Sequence, residues 1–164
     1  MLIHSKKIPW LKLVSIHAAP SFGRLDVLVV ENDVDQLELF TEILASAGFS
    51  VQGAASPDEA LAILRSARVG LLVTDIRLEH DVNGFELANQ ARVLQPSLQA
   101  LFITGLPQQL AHRQRGAHPD APILLKPFSL SDFVNTVSDA LGGAMHVPTA
   151  ISILKAQATP AWSL

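Results

Sequence analysis

Short apolar runs alternate with longer segments of helical spacing between residues 25 and 141. The runs are rich in β-branched residues and uninterrupted by polar ones, which indicates strands buried on both faces, as in a parallel sheet. The longer segments repeat apolar residues every three or four positions, which indicates amphipathic helices. The predicted strands are Leu25–Val30, Ser50–Gly53, Leu71–Thr74, Ala100–Thr104 and Ile123–Leu125.

The first two predicted helices carry recognisable start signals. Asp33 or Asp35 can cap a helix that runs through Ala47, with Gly48 behind it as a terminator. The run Ser56-Pro57-Asp58-Glu59 predicts a capping box with proline at the first helical position of the second helix.

The third and last helices have clear sequence signals, whereas the segment between them does not. A third helix is predicted over Gly84–Leu94, and a last one begins at Ser129 or Ser131. The segment Leu106–Pro122 holds three prolines and a glycine, so any helix there is short, over Gln108–Arg115.

This succession of strands and helices predicts an α/β fold. The expected architecture is a flavodoxin-like, doubly wound, five-stranded parallel sheet in the order 2-1-3-4-5, with helices on both faces. Ligands of such sheets bind at the carboxyl ends of the strands, where the strand order reverses. The polar groups that follow the predicted strands there are Glu31-Asn32-Asp33, Asp75, Thr104-Gly105 and Lys126-Pro127.

These strand ends would gather carboxylates, a hydroxyl and an ammonium group. Clustered carboxylates raise one another's pKa unless a positive charge lies nearby. Lys126 can supply that charge, and a hard cation such as Mg²⁺ suits the oxygen atoms. Such a site favours phosphoryl transfer, with Asp75 as the nucleophile that forms an aspartyl phosphate.

Four sequence blocks in this order carry a family resemblance. The blocks are VLVVEND, LLVTDIRL followed by NGFEL, LFITG, and ILLKPFS. They resemble the successive signatures of bacterial response-regulator receiver domains, and the resemblance covers about Leu25–Leu141.

The resemblance implies a role for each matching residue. Asp75 would be the phosphoacceptor, Thr104 would hydrogen-bond the phosphoryl group, and Lys126 would pair with it. The family's peptide bond before the matching proline is usually cis, which predicts a cis Lys126-Pro127 bond. Mg²⁺ would be the cofactor, and its implied ligands are Glu31, Asn32, Asp75 and the backbone carbonyl of Arg77.

The chain departs from the family pattern at several positions. Asn32 replaces the second acidic residue and should weaken Mg²⁺ binding; Asp33 beside it either compensates or caps the first helix. The loop Ile76–Asn83 is one residue longer than the commonest form, and Ile123 stands where the family has a switch aromatic. Gly84 is expected to relieve the turn into the third helix.

The amino-acid composition and net charge limit the classes of function that the protein can have. The net charge of −3 argues against a direct nucleic-acid surface, and no apolar run is long enough to span a membrane. The absence of cysteine excludes disulfides, cysteine–zinc sites and thiol catalysis, and it fits a reducing cytoplasm. We expect an N-terminal extension at 1–22, a receiver domain at 23–143, and a short tail at 144–164 without an output domain.

The function implied by the resemblance is phosphorelay signal transduction. A histidine kinase or histidine phosphotransferase would phosphorylate Asp75, and the output would be contact with a downstream protein of unknown identity. The protein would be a switch and not an enzyme, except for self-catalysed phosphorylation and dephosphorylation. One alternative is a receiver-like binding module that is never phosphorylated. An unrelated doubly wound enzyme is disfavoured because the chain lacks the GxGxxG, GxxxxGK[ST], GxSxG and HExxH motifs.

Overall fold

The computed structural model describes residues 23–78, 83–105 and 118–143. Within these ranges the chain forms five strands and four helices. The strands are β1 (Arg24–Val30), β2 (Val51–Ala54), β3 (Arg68–Asp75), β4 (Gln99–Thr104) and β5 (Ile123–Leu125). The helices are α1 (Val34–Ser46), α2 (Pro57–Ser66), α3 (Gly84–Leu94) and α4 (Leu130–Ala140).

All five strands run parallel in the order β2-β1-β3-β4-β5, which confirms the predicted topology. Val30 of β1 aligns with Thr74 of β3, and Asp75 aligns with Ile103 of β4. Thr104 in turn aligns with Leu125 of β5. Because the strands are parallel and in this register, their carboxyl ends lie along one edge of the sheet.

The sheet is buried on both faces, as the uninterrupted apolar runs predict. Leu28 and Leu72 point into a core formed with α2 and α3. Their neighbours Val27 and Leu71 point into a second core formed with α1 and α4. This alternation follows from the two-residue period of a strand, and it fixes which helices cover which face.

Side-chain caps fix the starts of the first two helices. The Asp33 carboxylate caps α1 by accepting a hydrogen bond from the Gln36 N–H at 3.0 Å, as one of the two predicted alternatives requires. Ser56 caps α2 through the Glu59 N–H. The predicted capping box is wrong in its second half, because the Glu59 carboxylate accepts from the N–H of Ala55 and not from that of Ser56.

The capping box that is complete begins α4. The Ser129 hydroxyl accepts from the Asp132 N–H, and the Asp132 carboxylate accepts from the Ser129 N–H. Ser129, and not Ser131, is therefore the N-cap. The Lys126-Pro127 bond three residues earlier is cis, as predicted.

β3 is longer than the sequence predicts, and some predicted segments lie outside the described residues. β3 begins at Arg68, three residues before the predicted start, because Arg68 and Val69 pair with Arg24 and Leu25. The helix predicted over Gln108–Arg115 lies outside the described residues, as do the predicted extensions at 1–22 and 144–164. Among the described residues, no helix is both long enough and apolar enough to cross a bilayer.

Candidate functional site

Backbone pairing carries the predicted site residues to one edge of the sheet. Glu31 directly follows β1, Asp75 ends β3, Thr104 ends β4, and Lys126 directly follows β5. The Lys126 N–H donates to the Thr104 carbonyl at 2.8 Å, which extends the β4–β5 pairing to the site itself. Thr104 is buried at this edge.

The ammonium group of Lys126 joins the two carboxylates. Its Nζ lies 2.9 Å from Asp75 Oδ2 and 3.3 Å from Glu31 Oε2. The Glu31 side chain is only 5% exposed and the Asp75 side chain 13%. Carboxylates this far from solvent need a charged partner, so the lysine is a structural requirement of the site as well as a candidate for its chemistry.

The surroundings of Lys126 keep it protonated. Burial acts to lower the pKa of its ammonium group, but the hydrogen bond and charge of Asp75, followed by the charge and hydrogen bond of Glu31, outweigh burial. The pKa therefore lies above its ordinary value of 10.5. Lys126 is a cation throughout the physiological pH range.

Asp75 is oriented through both of its carboxylate oxygens. Oδ2 faces Lys126, and Oδ1 accepts a hydrogen bond from the Arg77 N–H at 2.8 Å. The Asp75 carbonyl in turn accepts from the Thr74 hydroxyl at 3.0 Å. The carboxylate thus has a fixed direction, which a nucleophile needs for attack along a defined line.

Gly84 lies against the backbone of Asp75. A Cβ atom at residue 84 would lie 2.2 Å from the Asp75 carbonyl oxygen, and the Gly84 N–H donates to the Ile76 carbonyl at 2.8 Å. The structure thus gives a reason for glycine that the sequence did not indicate. Glycine is required by close packing of the start of α3 against the end of β3.

The turn after β1 shapes the acidic side of the site. The Asp33 N–H donates to Glu31 Oε1 at 3.2 Å, while the Asp33 side chain caps α1. Hydrogen bonds from the backbone and side chain of Gln36 lower the pKa of the Asp33 carboxyl. Asn32 lies between them in the same turn and is partly buried.

The donor atoms at this edge fit a hard divalent cation. Glu31 and Asp75 bring carboxylate oxygens together at Lys126, and Mg²⁺ accepts such oxygens beside water and neutral oxygen ligands. Within the described ranges no three histidine, cysteine or acidic side chains cluster as a metal-binding group. The candidate metal site thus contains two carboxylates, those of Glu31 and Asp75, because Asn32 is a neutral residue.

Two residues that the sequence did not single out for the site also contact Lys126. Gln36 Oε1 accepts a hydrogen bond from Lys126 Nζ at 2.8 Å, and Nζ lies 6.0 Å from the centre of the Phe40 ring. Both residues are on the inward face of α1, one turn apart. Phe40 is an apolar, buried residue, and residues four apart lie on the same face of a helix, so helical spacing could have identified Gln36 as inward-facing.

Comparison with known proteins identifies a matching family and several relatives of this chain. The sequence profile of the response regulator receiver domain family matches residues 27–138. The chain is 33% identical over 115 residues to the response regulator receiver protein CpdR of Brucella abortus, covering 70% of this chain and 95% of that protein. It is 31% identical over 122 residues to the sensor kinase CckA of the same organism, of which it spans only 13%.

Solved structures show the same architecture. A response regulator receiver protein from Sinorhizobium medicae superposes with a TM-score of 0.65 at 31% identity, covering 73% of this chain and 95% of that one. A CheY-like receiver domain protein from Methanospirillum hungatei gives 0.62 at 28% identity, covering 75% and 96%. By contrast, the chain spans only about a quarter of the transcriptional regulatory protein GlrR of Escherichia coli, 26% of its length at 29% identity.

Proposed function

The chain belongs to the response-regulator receiver family, whose members are switches in phosphorelay signalling, and on this premise we propose that Asp75 is its phosphoacceptor. The observation that carries the proposal is the placement of Lys126 between Asp75 and Glu31, at 2.9 and 3.3 Å, where β1, β3 and β5 end. These three groups are far apart in the sequence, and only the folding of the sheet brings them together. Their convergence therefore supports a shared chemical role.

The proposed reaction is transfer of a phosphoryl group to an Asp75 carboxylate oxygen. An oxygen–phosphorus bond forms while the bond between phosphorus and the donor atom breaks, and its electron pair leaves with the donor. The Arg77 N–H holds one carboxylate oxygen during the attack. Lys126 can then pair with an oxygen of the transferred group, and the hydroxyl of Thr104 is the second proposed contact.

We propose Mg²⁺ as the cofactor, held by Glu31, Asp75, the Asn32 side chain and the Arg77 carbonyl. When bound, it would neutralise charge on the phosphoryl oxygens. Because Asn32 contributes no negative charge, this chain's affinity for Mg²⁺ should be lower than that of a site with a third carboxylate. Asn32→Asp is accordingly expected to lower the Mg²⁺ concentration needed for half-maximal phosphorylation.

The proposed partners follow from the same chemistry. Receiver domains exchange phosphoryl groups with histidine kinases or phosphotransferases, and we propose one of these as the donor. Signalling to the downstream protein would occur through protein contacts. A cytoplasmic location is part of this proposal, because the cysteine-free composition is compatible with a reducing compartment.

The decisive experiment is incubation with acetyl phosphate, with and without Mg²⁺, followed by intact-mass measurement. We expect a Mg²⁺-dependent gain of one phosphoryl group in the wild-type protein. Asp75→Asn keeps the shape of the side chain but removes its nucleophilic charge, so it should gain none. Circular dichroism establishes that both proteins are folded.

Either of two results would refute the proposal. Equal uptake by the wild type and Asp75→Asn would place the phosphoryl group on another residue. No uptake by a folded wild-type protein would favour the receiver-like binding module that is never phosphorylated.

A further inference from the structure

We infer that Gln36 is a positioning residue for Lys126 and sets the rate at which Asp75 takes up a phosphoryl group. The inference rests on the proposed role of Asp75 and deepens it. Gln36 lies in the first turn of α1, ninety residues before Lys126 in the sequence, and its side chain reaches the lysine at the sheet edge.

The hydrogen bonds of Lys126 are the first argument. An ammonium group has three N–H donors and no acceptor. In this structure three oxygens lie within reach of Nζ: Gln36 Oε1 at 2.8 Å, Asp75 Oδ2 at 2.9 Å and Glu31 Oε2 at 3.3 Å. Gln36 makes the shortest of the three contacts, so the rotation of the ammonium group depends on it as much as on the carboxylates.

The way in which Gln36 is held is the second argument. Its backbone N–H donates to the Asp33 carboxylate that caps α1. Gln36 is therefore fixed at the helix start by Asp33 while its Oε1 atom holds Lys126.

The neutrality of Gln36 is the third argument. Phosphoryl donors are anionic, and every carboxylate at the site repels them. With Gln36 and Glu31 each taking one N–H of Lys126, the third N–H points at the Asp75 oxygen to which the phosphoryl group would be attached. Gln36 thus orients the ammonium group without adding negative charge that an incoming donor would have to overcome.

Two substitutions separate orientation from charge. Gln36→Met keeps the length of the side chain and removes the acceptor. Gln36→Glu keeps an acceptor at the same distance and adds one negative charge. Gln90→Met is the matched control, because Gln90 is an exposed helical glutamine on α3 and the exchange is the same.

The first readout is the rate of phosphoryl uptake from acetyl phosphate at saturating Mg²⁺. We expect Gln36→Met to slow uptake about threefold to tenfold, the range that loss of one hydrogen bond of ordinary net strength can produce. Gln36→Glu should slow it by at least as much. Gln90→Met should match the wild type.

The second readout reports on the lysine itself. Lys126 is the only lysine between residues 13 and 154, the others being at 6, 7, 12 and 155. Selective ¹⁵N labelling of lysine therefore gives few signals, and Lys126→Arg identifies the relevant one. We expect the ammonium protons of Lys126 to exchange with water several-fold faster in Gln36→Met than in the wild type or Gln90→Met, a change that a general loss of stability would not confine to Lys126.

The outcomes distinguish the two proposals. Equal rates of phosphoryl uptake by the wild type and Gln36→Met would overturn the proposed role of Gln36 without contradicting that of Asp75. Unchanged proton exchange at Lys126 would do the same. A folded wild type that takes up no phosphoryl group would overturn the proposed function, and the inference with it.

Discussion

At the scale of single residues, Gly84 shows how tightly the site is tied to its scaffold. The nearest atoms to a Cβ at this position belong to the Asp75 peptide, at 2.2 and 3.1 Å, and to the Thr74 side chain at 3.1 Å. A backbone carbonyl cannot turn aside as a side chain can. Any residue other than glycine must therefore move either α3 or the peptide of the proposed phosphoacceptor.

We predict that Gly84→Ala lowers the free energy of unfolding by about 2–3 kcal/mol, since overpacking outweighs the gain in helix propensity. Chemical denaturation followed by circular dichroism measures the change. Gly53→Ala is the control, because the nearest atoms to a Cβ there belong to the side chains of Leu37 and Thr41 and not to the backbone. Equal losses in the two variants would contradict the prediction.

His118 is a second residue with an uncommon environment. It is 1% exposed, its ring meets Phe102 edge-on at 5.5 Å, and neither ring nitrogen has a hydrogen-bond partner in the described structure. Burial, and then the charge of Arg92, lower the pKa of His118 below its ordinary value of 6.5. The folded protein therefore disfavours the protonated form of His118.

This burial predicts a pH dependence of stability. As the pH decreases from about 6.5 to the lower pKa of the folded state, the unfolded chain binds a proton on His118 more readily than the folded chain does. Stability therefore falls over this range, by at most about 1.4 kcal/mol per pH unit. His118→Leu should remove that part of the dependence. Urea denaturation at about pH 7.5 and pH 5.5 tests this, and an unchanged difference between the two pH values in the variant would disprove it.

At the scale of elements, the turn from β5 into α4 connects Lys126 to a helix. Ser129 begins α4 with a reciprocal pair of bonds to Asp132, and its hydroxyl also contacts the Asp132 carboxylate at 2.6 Å. We predict that Ser129→Ala lowers the free energy of unfolding by about 1 kcal/mol. Thermal and urea denaturation measure this loss. Ser46→Ala, at the exposed last residue of α1, should cost less; a greater loss there would contradict the assignment.

The elements also show what the sequence could predict. The strands, their order and the cap at Ser56 follow from local patterns and from topological rules. For α1 and α4 the sequence leaves two cap candidates each, and the structure selects Asp33 and Ser129. β3 was predicted too short because Arg68 and Gly70 interrupt the apolar run, although β3 pairs with β1 from Arg68 onward. Pairing with a distant strand is not visible in the local pattern.

The candidate site likewise contains contacts that the sequence could predict and one that it could not. The meeting of Glu31, Asp75 and Lys126 could be predicted because parallel strands end at one edge of the sheet. Helical spacing from Phe40 indicates that Gln36 faces inward, but its contact with Lys126 could not be predicted from the sequence. Its partner is ninety positions away, and only the three-dimensional packing of α1 against the end of β5 reveals it.

At the scale of the whole molecule, every described strand and helix lies within residues 23–143. We propose that this range is an independent receiver domain. A fragment of residues 23–143 is predicted to unfold in one cooperative transition and to take up a phosphoryl group at the rate of the full chain. Denaturation and intact-mass measurements on both proteins test this. A fragment that is unfolded, or folded but unreactive, would refute the proposed boundaries.

The division of the core by the sheet has a consequence for how relatives of this protein diverge. Leu72 and Phe102 share one core with α2 and α3, whereas Leu71 and Leu101 share the other with α1 and α4. Mutational effects at separated sites without common partners are nearly additive, while those at contacting sites are coupled. Over evolutionary time, replacements should therefore covary within each core and be nearly independent between the two. Adjacent residues of one strand would then have separate evolutionary histories.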